Sequence, residues 1–401
     1  MIHRDRNHPS VFMWSVGNEM SAETINSDGS KTLRKLVDAV HEEDRTRPVT
    51  NAIAQMKAAN ETGFANILDA VGYNYFGGGM EFDATKYDED HIEFPKRIIF
   101  GSENASTTST RGIYHFPADS LIFITKDMQC SSFDNCYPPW GSSAEENWKA
   151  VIERDFVSGL FVWTGFDYIG EPTPYLWPAR SSYFGLIDLC GFPKDGYYFY
   201  KSQWTDDPML HILPHWNWEG KEGKLIDVLA YTNCDEVELF LNDKSMGVRK
   251  MDSSTSLKLK WEVPYVPGTL KAVGKKDGMV VCEEKQRTAG VPNHIKLIVD
   301  RDHLLSNGKD VCFIKVIIED KNGTLVTNAG NLIQFNIEGS GKLIGVSNGN
   351  PLSHKSFQAP QRKAFNGLCQ AVVQSAKTPG SIVIIANSEG LVSDKLEIFV
   401  D

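Results

Sequence analysis

The stretch RDRNHPSVFMWSVGNE, Arg4 to Glu19, decides how this chain is read. Within it, Val11-Phe12-Met13-Trp14-Ser15-Val16 is an apolar run bounded by Pro9-Ser10 and Gly17, and it leads into Asn18 and Glu19. Such a run predicts a strand covered on both faces, of the kind that builds barrels and doubly wound sheets. In those folds chemistry sits where strands end. Taken alone, Asn18 closes a turn and Glu19 starts the next helix.

Outward from Glu19 the pattern alternates. Residues 32–41 carry Leu33, Leu36, Val37 and Val40 at helical spacing, and Arg47-Pro48 ends that helix. Strands are expected at 49–54, at 65–75 through Gly72-Tyr73-Asn74-Tyr75, and at 97–100, which emerges at Gly101-Ser102-Glu103. Ser143 and Glu146 form a capping-box pattern before a helix carrying Trp148, Val151 and Ile152. Leu160-Phe161-Val162-Trp163 is the fifth strand, and 196–204 is a last amphipathic stretch. Strand alternating with helix predicts a parallel sheet with its loops at one end.

From about Pro214 the helical period stops. Short alternating runs at 225–231, 237–241, 257–261, 269–273 and 279–282 are separated by Asn242-Asp243 and Pro267-Gly268 turns. A second series occupies 295–299, 311–318, 333–337, 370–373, 382–386 and 396–400. Two β-sandwiches are expected, at 214–289 and 290–401, with no acid, base and nucleophile set in either.

With 401 residues, 41% hydrophobic and 11% aromatic, the chain exceeds one ordinary domain. A net charge of −11 argues against nucleic acid, which is held by clustered Lys and Arg. No run of eighteen apolar residues offers a membrane span, and Met1-Ile2-His3-Arg4 does not read as a signal peptide. The seven cysteines have no zinc-like spacing; most read as small buried hydrophobes, with a Cys130–Cys136 loop disulfide as an option.

The residues Arg4, Asp5, Asn7, His8, Pro9, Ser10, Trp14, Ser15, Gly17, Asn18 and Glu19 together resemble the acid/base signature of glycoside hydrolase family 2. That family comprises β-galactosidases, β-glucuronidases and β-mannosidases. The resemblance implies a (β/α)8 TIM barrel with Glu19 as general acid/base at the end of its fourth strand and Asn18 on the sugar 2-hydroxyl. Glu103 then resembles the nucleophile that ends the seventh strand. Tyr75 is the phenol expected to hold that nucleophile ionised, with Tyr73 as second choice. Trp163 is expected to stack on the sugar, and Asp167 and Glu171 are weaker candidates for binding its hydroxyls. A fourth strand beginning near residue 11 leaves no room for the first three, so the expected fold is an incomplete barrel, strands four to eight, over residues 1–213. The sandwiches resemble immunoglobulin-like C-terminal domains of bacterial relatives.

Two carboxylates suit this chemistry: one protonates the leaving oxygen, and in retaining enzymes the other attacks the anomeric carbon from roughly 5 Å away. The strings GFDYIGEPTPY and SSYFGLIDLCGFPKD look most like bacterial β-galactosidases. The Asn-x-Lys motif with which β-glucuronidases grip a sugar carboxylate is incomplete, since the comparable stretch reads Gly191-Phe192-Pro193-Lys194. The expected function is hydrolysis of terminal β-galactosides. Another family 2 specificity, or a non-catalytic carbohydrate-binding remnant, is the alternative. The expected partner is a β-linked oligosaccharide or polysaccharide, without nucleic acid or membrane, and a homo-oligomer is compatible with it. No cofactor is expected, although some family members use Mg²⁺ beside the acid/base residue. A periplasmic or secreted place is implied for the longer relative, of which this chain is expected to be a C-terminal portion with little activity alone.

Overall fold

The computed structural model describes residues 1–21, 24–75 and 83–401. They fall into two units, Met1–Thr108 with Cys136–Gly165, and Ser109–Asn135 with Phe166–Asp401. Strand and helix alternate among the described residues of the first unit, as the periodicity predicts. The first unit runs α1 (Ile2–Asp5), β1 (Trp14–Asn18), α2 (Ser27–Glu43), β2 (Val49–Ile53), α3 (Met56–Glu61), β3 (Ala70–Asn74), α4 (Thr85–Glu93), β4 (Ile98–Ala105), α5 (Ala144–Ile152) and β5 (Val157–Trp163). The strands pair in chain order, each parallel to the next.

Local sequence explains the helices. The Asn26 side chain accepts from the backbone of Asp28 and Gly29 and so starts α2, whose buried stripe is Leu33, Val37 and Val40. That stripe joins Val49, Val71, Ile99 and Val157 in one core on the helix side of the sheet. Ser143 and Glu146 make the capping box that opens α5.

The opening strand differs from expectation. It begins at Trp14 instead of Val11, and it is not covered on both faces: Trp14 is buried, Ser15 is exposed and Phe12 is 60% exposed. The reason is position, because among the described residues β1 pairs with β2 alone. Phe12 nevertheless stacks on Phe161 of β5, with ring centroids 6.3 Å apart. Five strands in a flat sheet would place the outer two about 19 Å apart. The sheet therefore curls, bringing its edges toward each other as in a barrel.

The second unit contains α6 (Asp195–Trp204) and two layered β modules. In the first, β6 (Leu210–Leu213), β7 (Leu225–Thr232) and β10 (Leu259–Pro264) form one sheet, ordered β10-β7-β6. It faces a second sheet of β8 (Glu236–Leu241), β9 (Lys244–Lys250), β11 (Thr269–Lys276) and β12 (Met279–Arg287), ordered β12-β11-β8-β9. Ile226, Val228 and Val263 of one sheet share a core with Val237, Leu239 and Leu270 of the other. Asn242 and Asp243, both at positive φ, make the two-residue turn from β8 to β9.

The other module pairs a sheet of β13 (His294–Val299), β15 (Val311–Glu319), β19 (Leu368–Ser375) and β17 (Gly341–Ser347) with one of β14 (His303–Leu304), β21 (Asp394–Val400), β20 (Gly380–Asn387), β16 (Leu332–Gly339) and β18 (Gln361–Lys363). Ile314, Val316, Ile333, Ile384 and Ile398 lie in its core.

The second unit is not continuous in sequence. Segments 109–135 and 166–213 group with the β modules. Arg111 gives the physical reason: its guanidinium pairs with Asp188 at 2.7 Å and donates to the carbonyls of Asn348 and Phe365. The optional Cys130–Cys136 disulfide is also absent, since none of the seven cysteines is in a disulfide. No helix among the described residues is long and apolar enough to cross a membrane.

Candidate active site

In a parallel sheet all strands end on one rim, so Asn18 at the end of β1, Asn74 at the end of β3 and Glu103 near the end of β4 share an edge. The backbone there is unusual: Glu19, Tyr75, Ala105 and Ser106 all have φ between 46° and 73°. Non-glycine residues avoid this left-handed region, and a cluster of them marks strand ends held in a set shape by their surroundings. The β3–β4 register also slips. Tyr73 pairs with Gly101, but the next residue, Asn74, pairs with Glu103 instead of Ser102.

That slip places the fully buried Asn74 amide among three oxygens. Its Nδ2 lies 3.1 Å from Asn18 Oδ1 and 3.1 Å from Glu19 Oε1, and it donates to Glu103 Oε2. Its Oδ1 accepts from Ser102 Oγ at 2.6 Å. One nitrogen within hydrogen-bonding reach of both carboxylates limits those two oxygens to about 6 Å of separation. Glu103 is 8% exposed, whereas Glu19 is exposed. The site thus holds one enclosed and one open carboxylate, joined by a neutral donor.

The other expected residues divide. Tyr75 follows Asn74 directly and is half-buried, and Trp163 ends β5 opposite Ala105. The second choice, Tyr73, is corrected: its hydroxyl donates to Asp90 of α4 and lies 3.4 Å from Arg97, on the helix side of the sheet. Burial, reinforced by Asp90, pushes that phenol up. Asn74 and Ser102 were missed by the sequence reading, although a lone Asn between two tyrosines at the end of an apolar strand was the available signal.

In the second unit, Asp167 is engaged by its own neighbours. Its Oδ2 is 2.7 Å from Lys194 Nζ, and its Oδ1 accepts from Lys194 at 2.9 Å and from the Gly185 backbone at 2.8 Å. Burial still pushes its carboxyl up to about 6 against the pull of Lys194. Lys194 also donates to the carbonyls of Ser109 and Tyr183. Glu171 is exposed and accepts from the Tyr168 hydroxyl. Among the described residues no group of three or more His, Cys, Asp or Glu side chains is placed to hold a metal ion.

Known proteins resemble this chain at both ends. Residues 1–138 match the TIM barrel domain of glycosyl hydrolases family 2, and residues 295–397 match the family's C-terminal domain 5. Residues 223–282 match a domain of unknown function. The β-galactosidase BoGH2A of Bacteroides ovatus is 42% identical across 99% of this chain and 50% of its own length. A putative β-glucuronidase of Formosa agariphila is 31% identical across 96% of this chain and 38% of its own. The crystal structure of a β-glycosidase from Bacteroides vulgatus superposes with a TM-score of 0.87 and 34% identity, covering 100% of this chain and 52% of that one. The chain spans about half the length, or less, of these relatives. With both its barrel and its C-terminal segments matched, and with a 42% identical relative along nearly its whole length, the chain belongs to glycoside hydrolase family 2.

Proposed function

We propose that this chain carries the catalytic pair of a retaining β-galactosidase-like hydrolase, with Glu103 as nucleophile and Glu19 as general acid/base. The observation that carries the reading is the amide of Asn74, which reaches both carboxylates at once. Oxygens held within about 6 Å of each other suit the roughly 5 Å spacing for direct attack on the anomeric carbon better than the roughly 6.5–9.5 Å with which inverting enzymes admit a water. Donation from Asn74 favours the ionised form of Glu103, which a nucleophile requires. The open position of Glu19 suits a group that hands a proton to the leaving oxygen and then takes one from water. Asn18 and Tyr75 flank the pair, and Trp163 offers an aromatic face for the sugar. Asp167 drops out of the sugar set, because Lys194 and Gly185 engage both its oxygens.

Galactoside over glucuronide rests on Lys194. The lysine that a uronate would need is buried and already paired with Asp167. The 42% identical relative is likewise a β-galactosidase. In this reading β1 to β5 are strands four to eight of a barrel spanning 1–213, and the two β modules, at 214–289 and 290–401, are immunoglobulin-like domains.

The test is kinetic, in a closed barrel that includes this segment. Glu103→Gly should abolish hydrolysis of an aryl β-galactoside and, with azide, yield a glycosyl azide. Glu19→Ala should spare substrates with very good leaving groups. Near-normal activity of both variants on an ordinary galactoside would remove the assignment. Faster turnover of an aryl β-glucuronide or β-mannoside would move the specificity, and sugar binding without any turnover would favour a carbohydrate-binding remnant.

A further inference from the structure

Two cysteines in the first β module meet across a strand. Cys234 lies in the turn between β7 and β8, and Cys282 lies on β12, 48 residues later, yet their sulfurs are 3.4 Å apart. The strand between them makes the contact possible. Gly274 of β11 pairs with Cys282 on one side and with Val237 of β8 on the other. A Cβ built on Gly274 would stand 2.7 Å from Cys234 Sγ and 2.8 Å from Cys282 Sγ, so the missing side chain is the space both sulfurs occupy. Cys234 is 2% exposed, while Cys282 is partly open on the edge strand of its sheet.

We infer that Cys234 and Cys282 are a covalent modification site, closing to a disulfide when the protein meets a small-molecule disulfide oxidant. The exposure difference sets the order of events. Cys282, as thiolate, attacks one sulfur of the oxidant RSSR, forming a mixed disulfide and releasing RS⁻. Cys234 then loses its proton and attacks Cys282 Sγ, forming the internal bond and releasing the second RS⁻. The two protein thiols are oxidised, RSSR is reduced, and the two cysteine protons end on two RSH. Closure requires the sulfurs to approach by somewhat over 1 Å, within reach of rotamer adjustment above a glycine. Burial, then the contact with Cys234, pushes the Cys282 thiol up to about 12, so the reaction should quicken as pH rises. The bond would tie the exposed edge strand β12 to the β7–β8 turn.

The experiment uses the whole 401-residue chain under native conditions with oxidised glutathione. Peptide mapping should find a Cys234–Cys282 cross-link with the loss of two hydrogens, and the melting temperature of this module should rise by about 5 °C or more. Cys282→Ser should remove the cross-link and the shift together. Gly274→Ala should slow closure at least about tenfold, since its methyl group occupies the sulfur space. The inference is overturned if glutathione stays attached at Cys282 without closure, or if both thiols remain alkylatable after oxidation. Cross-linking as fast in Gly274→Ala as in the parent would remove the geometric argument.

Discussion

Asn74 donates its side-chain amide to Glu103 one strand away, and it does so because the β3–β4 register slips by one residue immediately before it. In unbroken register Asn74 would face Ser102, whose hydroxyl instead holds the amide from behind at 2.6 Å. The donor is thus fixed by two strands and offered to two acids.

Replacing that donor with an isosteric acceptor should be severe. Asn74→Asp keeps the shape, removes the hydrogen bond and adds a third carboxylate beside Glu19 and Glu103. We expect kcat/KM for an aryl β-galactoside to fall by about 10²-fold or more, with the acidic limb of the pH–rate profile displaced upward. The melting temperature should change little by comparison. Unchanged kcat/KM and profile would assign Asn74 a purely structural place.

A second prediction concerns pH and stability. His211 of β6 lies between Asp195 of α6, at 2.8 Å, and Glu284 of β12, at 3.3 Å. Burial alone would lower this imidazole, but the two carboxylates overcome it and raise it to about 9. A histidine raised in the folded state binds its proton more tightly there than when unfolded, near 6.5. Its contribution, of order 3 kcal/mol, is therefore complete below about pH 6.5 and is lost as pH rises through about 9. His211→Gln should flatten the fall in stability between pH 6.5 and 9, measured by urea unfolding. An identical slope in parent and variant would defeat the assignment.

A third follows from Arg111. Its guanidinium and the Asp188 carboxylate are 9% and 1% exposed, and Asp188 also accepts from the backbone of Cys190 and Phe192. Arg111→Met leaves a buried carboxylate without its cation, at a cost of about 3–5 kcal/mol. The double variant Arg111→Met with Asp188→Leu should recover part of that loss. Denaturant midpoints of the three proteins decide it, and a double variant no better than the single one would mean that packing, not charge, dominates.

The sequence made the site legible where polar residues interrupt apolar strands. Glu19 and Glu103 each follow such a run, and period and capping located α2 and α5. What escaped depended on contacts far along the chain. Asn74 mattered only through a register slip, which no local pattern announces. Segments 109–135 and 166–195 carry little periodicity, and their place is set by Arg111 and Asp188, 77 residues apart. β9, KSMGVRK, was missed because an edge strand exposed on most positions shows no apolar alternation.

The last prediction concerns the open sheet. Phe12 and Phe161 stack on each other while remaining 60% and 49% exposed, and among the described residues β1 and β5 each pair on one side only. Unpaired strand edges next to exposed aromatic rings invite pairing with another chain. The 401-residue chain alone should therefore self-associate as its concentration rises, seen as increasing mass by light scattering. Replacing Phe12 and Phe161 together by Ser should reduce that association. It should cost little stability, because half-exposed rings contribute only part of the roughly 1.5–3 kcal/mol that full burial of such a side chain provides. Positioning extends the prediction to catalysis, since a displacement of about 1 Å at the carboxylates lowers rate by about 10²-fold. Hydrolysis by this chain should accordingly be weak beside that of a version extended to a closed barrel. A chain that stays monomeric at all concentrations and matches the extended protein in activity would show that five curled strands suffice to hold Glu19 and Glu103 in place.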